Sequence, residues 1–220
     1  MIRRVICSTA FTAAFLLACL AEWPATVHAQ TVTYTGEAFG ASVNALGIKT
    51  TISDTGALPS SGGSLSTQLA SINLPGLLDL NLLTASTTGA SNVTSSQASV
   101  TNVSVTAAGI GISASVLTSN ASAQACASTN PSVNGGSTIA NLVVNGQPIT
   151  VTGAPNQTVP LLIGSLIINE QLSSVNSSYS GSSADILVNA LHLKVLGLAD
   201  VVVSSSHAGV SCGPPPICIF

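Results

Sequence analysis

The chain has 220 residues, four Lys and Arg against seven Asp and Glu, and only 5% charged residues beside 46% hydrophobic ones. No basic patch can be built from this inventory, which excludes nucleic acid and anionic membrane surfaces as natural partners. Its Val, Leu, Ile and Ala content suffices to bury a core, so the length predicts one domain or two small ones, not a disordered chain.

The first stretch reads as an export leader. Arg3 and Arg4 precede an apolar run over residues 5–21, Pro24 breaks it, and Val27-His28-Ala29 forms a small-x-small cleavage site. A signal peptide over 1–29 with cleavage between Ala29 and Gln30 is predicted. The run is at the short limit for a spanning helix. Leu16-Leu17-Ala18-Cys19 offers an alternative, a lipobox that would make the protein a lipoprotein through Cys19. Beyond the leader Lys49 and Lys194 are the only Lys or Arg, and Glu37, Asp54, Asp79, Glu170, Asp185 and Asp200 are the acids, two bases against six for a net −4. The surface must therefore be Ser, Thr, Asn and Gly. Such a surface lacks the like-charge repulsion that discourages association.

β-branched and hydroxyl residues dominate, helix formers are sparse in segment interiors, and turn residues recur about every ten positions. Residues 34–45 predict a first strand, with Gly36 and Gly40 marking bulges or close backbone approach. Residues 49–53 predict a second. The stretch SDTGALPSSGG over 53–63 is a loop. Residues 65–74 predict a strand closed by Pro75-Gly76, and the leucine-rich 77–84 a short helix or a buried strand. Two or three long strands fill 85–126. Asn130-Pro131 and Asn134-Gly135-Gly136 read as turns. A strand over 138–144 meets Asn145-Gly146, the strongest hairpin signal in the chain, and returns over 149–151. GAPNQTVPL over 153–161 reads as a loop, 162–171 as a strand, 177–183 as a turn, and 184–195 and 198–206 as the last pair. Asn44, Asn102, Asn141 and Asn189 share an x-Asn-apolar context at irregular spacing, which argues for duplicated strands and against a solenoid of fixed period.

The exported part carries three cysteines, Cys126, Cys212 and Cys218. LADVVVSSSHAGVSC (198–212) aligns with ISASVLTSNASAQAC (112–126), so both copies end on cysteine. A Cys126–Cys212 disulfide between equivalent strand ends is predicted. Cys212 and Cys218 enclose GPPPI, whose three prolines extend roughly 9 Å, beyond the roughly 7 Å that bridged α-carbons allow. A sharp turn at Gly213 would be needed for that pairing. Cys218 is left as a free or intermolecular thiol in a Pro-rich tail over 213–220.

Chemical motifs are few. Gly109-Ile-Gly111-Ile-Ser-Ala114 has dinucleotide-fingerprint spacing without the helix that it needs. Ser205, His207 and Asp200 make a triad only on paper, and His192, alternating with Ala190 and Lys194, reads as lying on a strand's polar face. Asp54 and Glu170 are candidate ligands for Ca²⁺ beside a plain role in turns and strand edges. Tyr34 and Tyr179 are the candidate aromatic contacts for a glycan or small ligand. No catalytic residue, metal site or cofactor is expected.

At SDTGALPSSGG, GAPNQTVPL, INEQ (168–171), VNALHL (188–193) and LADVVVSSSHAGVSC the sequence resembles the choice-of-anchor P family of bacterial exported proteins, over roughly residues 37–212. The resemblance implies an extracellular domain with varied C-terminal anchors and no enzymatic activity, and Cys126 and Cys212 match the family's two cysteine positions. The chain departs from that pattern after Cys212, where GPPPICIF carries no sorting motif, hydrophobic helix or basic tail. The expectation is one β domain over 30–212, an antiparallel β-sandwich with a β-barrel as alternative. It would serve as a secreted or cell-surface structural or adhesion-type protein. The alternative is an extracellular glycan- or small-ligand-binding module. Possible partners are surface or matrix components and further copies of the chain, with no nucleic acid and no integral membrane segment.

Overall fold

The computed structural model describes residues 30–45, 47–126, 130–178 and 181–213. The expected leader with Cys19 and Ala29, Tyr179, and residues 214–220 with Cys218 lie outside the described residues. Within them the chain forms β1 (Val32–Ala45), β2 (Ile48–Asp54), β3 (Gly63–Leu74), β4 (Leu78–Ala90), β5 (Val93–Ala107), β6 (Ile110–Gln124) and β7 (Ser132–Ala140). Then follow β8 (Val143–Val144), β9 (Gln147–Pro148), β10 (Gln157–Leu161), β11 (Gly164–Ser178), β12 (Gly181–Val195) and β13 (Ala199–Cys212). They make two antiparallel sheets packed face to face, a sandwich and not a closed barrel. One runs β10-β11-β12-β13-β1-β2, and the other runs β3-β4-β5-β6-β8-β9 with β7 also on β6. Among the described residues no helix is long and apolar enough to cross a membrane.

One structural level crosses both sheets. Pairing skips Gly40 and Ser53 between β1 and β2, Gly40 and Ser204 between β1 and β13, and Ala190 and Asn169 between β12 and β11. The opposite sheet skips at Leu82 and Asn102. Ser53, Asn169, Ser204, Leu82 and Asn102 all have φ between 38° and 58°. Each such residue adds an unpaired position and turns the following side chains to the other face. In β1 the inward residues are accordingly Tyr34, Gly36 and Ala38, then Ala41 and Val43. In β12 they are Ala184, Ile186 and Val188, then Leu191, Leu193 and Val195.

The level divides the interior into two aliphatic cores. One holds Leu80, Leu83, Val103, Ile112, Leu166, Leu191 and Leu193; the other holds Tyr34, Ala123, Ile186, Val188 and Val210. Between them lie alanines and hydroxyls. Ser204 Oγ donates to the Ala98 carbonyl (3.0 Å), Thr94 Oγ1 to Gly209 (2.8 Å) and Ser96 Oγ to His207 (2.6 Å), each joining one sheet to the other. Small residues let the sheets approach this closely. A Cβ on Gly40 would stand 2.6 Å from Leu83 Cδ2, and one on Gly135 2.6 Å from both Ile186 Cδ1 and Val188 Cγ2.

That last contact corrects the reading of Asn134-Gly135-Gly136 as a turn. The segment lies inside β7, and Gly135 is there because the facing sheet leaves no room for a side chain. Gln157–Leu161 was expected in a loop and is the edge strand β10; Pro160 is tolerated because it sits on the sheet's rim. The strand expected over 138–144 breaks at Asn141 (φ 54°), opposite the skipped Ser115, to which Asn141 Nδ2 donates at 3.0 Å. The return from Asn145-Gly146 spans Gln147–Pro148, two residues earlier than 149–151. The leucine-rich 77–84 resolves as strand, since Leu78, Leu80 and Leu83 all face the core across the face reversal at Leu82.

Cys126 and Cys212 form a disulfide with α-carbons 5.5 Å apart, closing a separation of 86 residues and joining the end of β6 in one sheet to the end of β13 in the other. A Cys126→Ala/Cys212→Ala double variant should lose about 2–4 kcal/mol of stability in urea unfolding. Gly135→Val should lose about 1–3 kcal/mol by overpacking, with its disulfide intact.

Candidate polar sites on the two outer faces

Every ionisable side chain of the described residues except Asp79 and the paired cysteines belongs either to the six-stranded sheet or to Tyr34 inside the fold. Asp79 alone belongs to the other sheet, where it accepts from Asn73 (3.2 Å). The charges gather on the outer face because the reversal in each strand turns them away from the aliphatic cores.

Their centre is His192 on β12. Its Nδ1 donates to Glu170 Oε2 at 2.6 Å and its Nε2 to Asp200 Oδ1 at 2.8 Å. Glu170 also accepts from Asn189 Nδ2 (2.7 Å) and, on its other oxygen, from Lys194 Nζ (3.4 Å); Ser205 Oγ donates to Asn189 Oδ1 (2.7 Å). The hydrogen bond from His192, opposed by burial and helped by Asn189, holds the Glu170 carboxyl at about 2. Burial pulls the His192 imidazolium down, but its bonds to Glu170 and Asp200 and their charges outweigh that, and its pKa is raised above 6.5. With carboxylates on both nitrogens, His192 has no free lone pair for a metal or a substrate proton. On the same face Glu37 is raised, first by burial and then by the neighbouring Asp54.

The Ser205–His207–Asp200 triad does not assemble. Ser205 bonds Asn189, His207 Nε2 pairs with Asp185 (2.9 Å), and Asp200 lies seven residues along the same strand from His207, about 20 Å away. Asp54 Oδ1 accepts from the Gly56 amide (2.8 Å) in a turn. It stands at one end of a cross-strand row, Asp54–Phe39–Ser205–Asn189–Glu170. Four strand spacings separate its ends, about 19 Å, so Asp54 and Glu170 cannot share an ion. Among the described residues no group of three or more His, Cys, Asp or Glu is placed to hold a metal. Tyr34 is buried; its ring packs on Gly62 and Gly89, and its oxygen accepts from the Asn92 amide (3.1 Å), so it offers no stacking platform. Gly109 sits in the tight β5–β6 turn, followed by a strand, which removes the dinucleotide fingerprint. Gln30 Nε2 donates to the Gly213 carbonyl (2.7 Å), holding the start of the domain to its end.

The opposite outer face carries one charge among the described residues, Asp79, and its remaining rows are neutral. Cross-strand rows read Ser64–Thr88–Ser95–Ser122–Asn134, then Ser66–Ser86–Gln97–Asn120–Gly136, then Gln68–Thr84–Ser99–Thr118–Thr138. They run across β3, β4, β5, β6 and β7 at about 4.8 Å per strand. A shallow hollow of about 620 Å³ lies over the β4–β7 part.

The chain matches no known family, curated protein or solved structure. The two faces therefore have to be read from their own chemistry.

The Glu170–His192–Asp200 cluster was invisible in sequence, where its members are 22 and 8 residues apart; only cross-strand register joins them. Its effect on stability has a definite pH dependence. The Glu170 contribution is present above pH 4.5 and lost as pH falls towards about 2. The His192 contribution is full below pH 6.5 and lost as pH rises through the raised folded value. Both are complete between about pH 4.5 and 6.5. His192→Gln should cost about 1–3 kcal/mol at pH 5.5, by removing the charged donor closest to a buried carboxylate that keeps only Asn189 and the more distant Lys194. Urea midpoints measured from pH 3 to 9 should show this difference shrinking on the alkaline side.

Proposed function

We propose that this chain is a secreted or cell-surface structural protein of the adhesion type, which works by contact and not by catalysis. The observation that carries this reading is the hydroxyl and amide face, neutral but for Asp79, together with the edge on which it ends. β3 spans twelve residues, borders no strand other than β4 among the described residues, and contains no charged residue and no proline. Three other rims are blunted, β10 by Pro160, β2 by Lys49 and Asp54, and β9 by its two-residue length, while β7, which pairs only with β6, is a second and shorter uncharged rim of nine residues. A long unblunted edge presents free backbone donors and acceptors to another strand, and the neutral face beside it adds no repulsion. The leader and the resemblance to choice-of-anchor exported proteins support the same reading.

A second reading, an extracellular module for a neutral glycan or small ligand, is favoured by the hollow over Gln97, Asn120 and Asn134. Its donors and acceptors suit hydroxyl groups, while stacking aromatics are missing from its lining.

Size-exclusion chromatography with light scattering on residues 30–220 separates the two. Assemblies that survive reductant are expected, and Ser66→Lys/Gln68→Lys on β3 should return them to one chain per particle. A monomer at all concentrations that binds no cell or matrix surface overturns the structural reading. Glycan binding lost on Gln97→Ala/Asn120→Ala would then support the second one.

A further inference from the structure

The described residues include seven large hydrophobic side chains that remain exposed, and four of them share one end of one sheet. Ile48 (73% exposed) opens β2 just after the β1–β2 turn, Leu162 (100%) is the β10–β11 turn, and Leu196 (81%) and Leu198 (50%) flank Gly197 in the β12–β13 turn. These three hairpins are consecutive along the sheet, so their tips form a comb about 19 Å long. A groove of about 810 Å³ lies between the Leu162 and Leu196–Leu198 tips. The turns at the same end of the other sheet carry Pro75-Gly76, Ala108-Gly109 and Asn145-Gly146 instead.

Both lysines of residues 30–220 stand directly behind this comb. One cross-strand row runs Lys49–Asn44–Asp200–Lys194–Ser165–Pro160, and the tips lie one or two residues beyond it. Aliphatic tips with the region's only Lys or Arg residues one layer back match the order of a phospholipid surface, acyl chains below phosphates, with the long stem of Lys49 reaching the headgroup level. Backbone groups at the β12–β13 tip are already engaged: Leu196 N–H donates to the Ile163 carbonyl (3.1 Å) and Leu198 N–H to Val195 (3.1 Å). Shallow insertion therefore strands few polar groups in hydrocarbon. Separate projecting tips suit a fluid phase, whereas a protein partner of fixed shape needs a continuous complementary patch. The chain's acidic balance favours a zwitterionic surface over an anionic one.

We propose that the three hairpin tips carrying Ile48, Leu162, Leu196 and Leu198 form a docking site for a zwitterionic phospholipid surface, with Lys49 meeting its phosphates. β1 begins and β13 ends at the opposite end of the sheet, where Val32 pairs with Cys212. This site is separate from the β3 edge and does not rest on it.

The test is co-sedimentation of residues 30–220, the span that contains every described strand and the disulfide, with phosphatidylcholine vesicles. Binding is expected in the millimolar lipid range. Leu162→Ser/Leu196→Ser/Leu198→Ser should weaken it at least tenfold, and Lys49→Gln about twofold or more, with unfolding midpoints near the parent's. The β3 variant Ser66→Lys/Gln68→Lys should bind vesicles like the parent, which keeps this outcome distinct from that of the assembly test. No vesicle binding by the parent, or equal binding by the leucine variant, overturns the proposal. So does a parent dimer that the leucine variant abolishes without any lipid binding, which would make the comb a contact between copies of the chain.

Discussion

The architecture depends on one level of left-handed backbone that crosses both sheets. A side chain at positive φ crowds its own carbonyl, at a cost of roughly 1–2 kcal/mol for most residues. Here Ser53, Ser204, Asn169, Leu82 and Asn102 adopt it together. A single strand could not: its neighbours would lose register. When every strand crossing the level takes an extra residue, ladder pairing resumes on the other side and only the facing of the side chains is exchanged. The two aliphatic cores on either side hold the arrangement in place, and small residues and hydroxyls fill the waist where the sheets come closest.

The same reversal distributes the chemistry of the surface. His192, Lys194, Asp200 and Glu170 come to the outside of one sheet, where they neutralise one another at close range. The other sheet keeps an outer face of Ser, Thr, Asn and Gln whose one charge is Asp79. A protein with so few charges could have scattered them; this one gathers nearly all of them on one side. The result is a body with three unlike surfaces: a satisfied ionic face, a neutral hydroxyl face bordered by an open strand edge, and an apolar comb at one end. The histidine at the ionic centre has both nitrogens engaged.

Much of the fold was legible in the residues. β-branched and hydroxyl residues at turn-punctuated spacing gave an all-β sandwich, Asn145-Gly146 gave its hairpin, and the echo ending in Cys126 and Cys212 gave the disulfide. The misreadings share a cause. Asn134-Gly135-Gly136 carries turn chemistry, yet Gly135 answers to Ile186 and Val188 on the facing sheet. Pro160 reads as a loop residue until its strand is known to lie on a rim. Tyr34 reads as an available ring until the 53–63 loop is seen folded over it.

The sequence by itself determined the strand content, the covalent staple and the scarcity of charge, because these follow from residue type, from the cysteine inventory and from counting. Tertiary structure alone decided which residues meet. Glu170, His192 and Asp200 are joined by cross-strand register, and the comb of leucines by the order in which hairpins line up along a sheet. Neither leaves a periodic trace in the chain, because both arise between strands rather than along them. The face reversals conceal them further, since alternation read through Gly40, Ala190 or Ser204 assigns every later side chain to the wrong side.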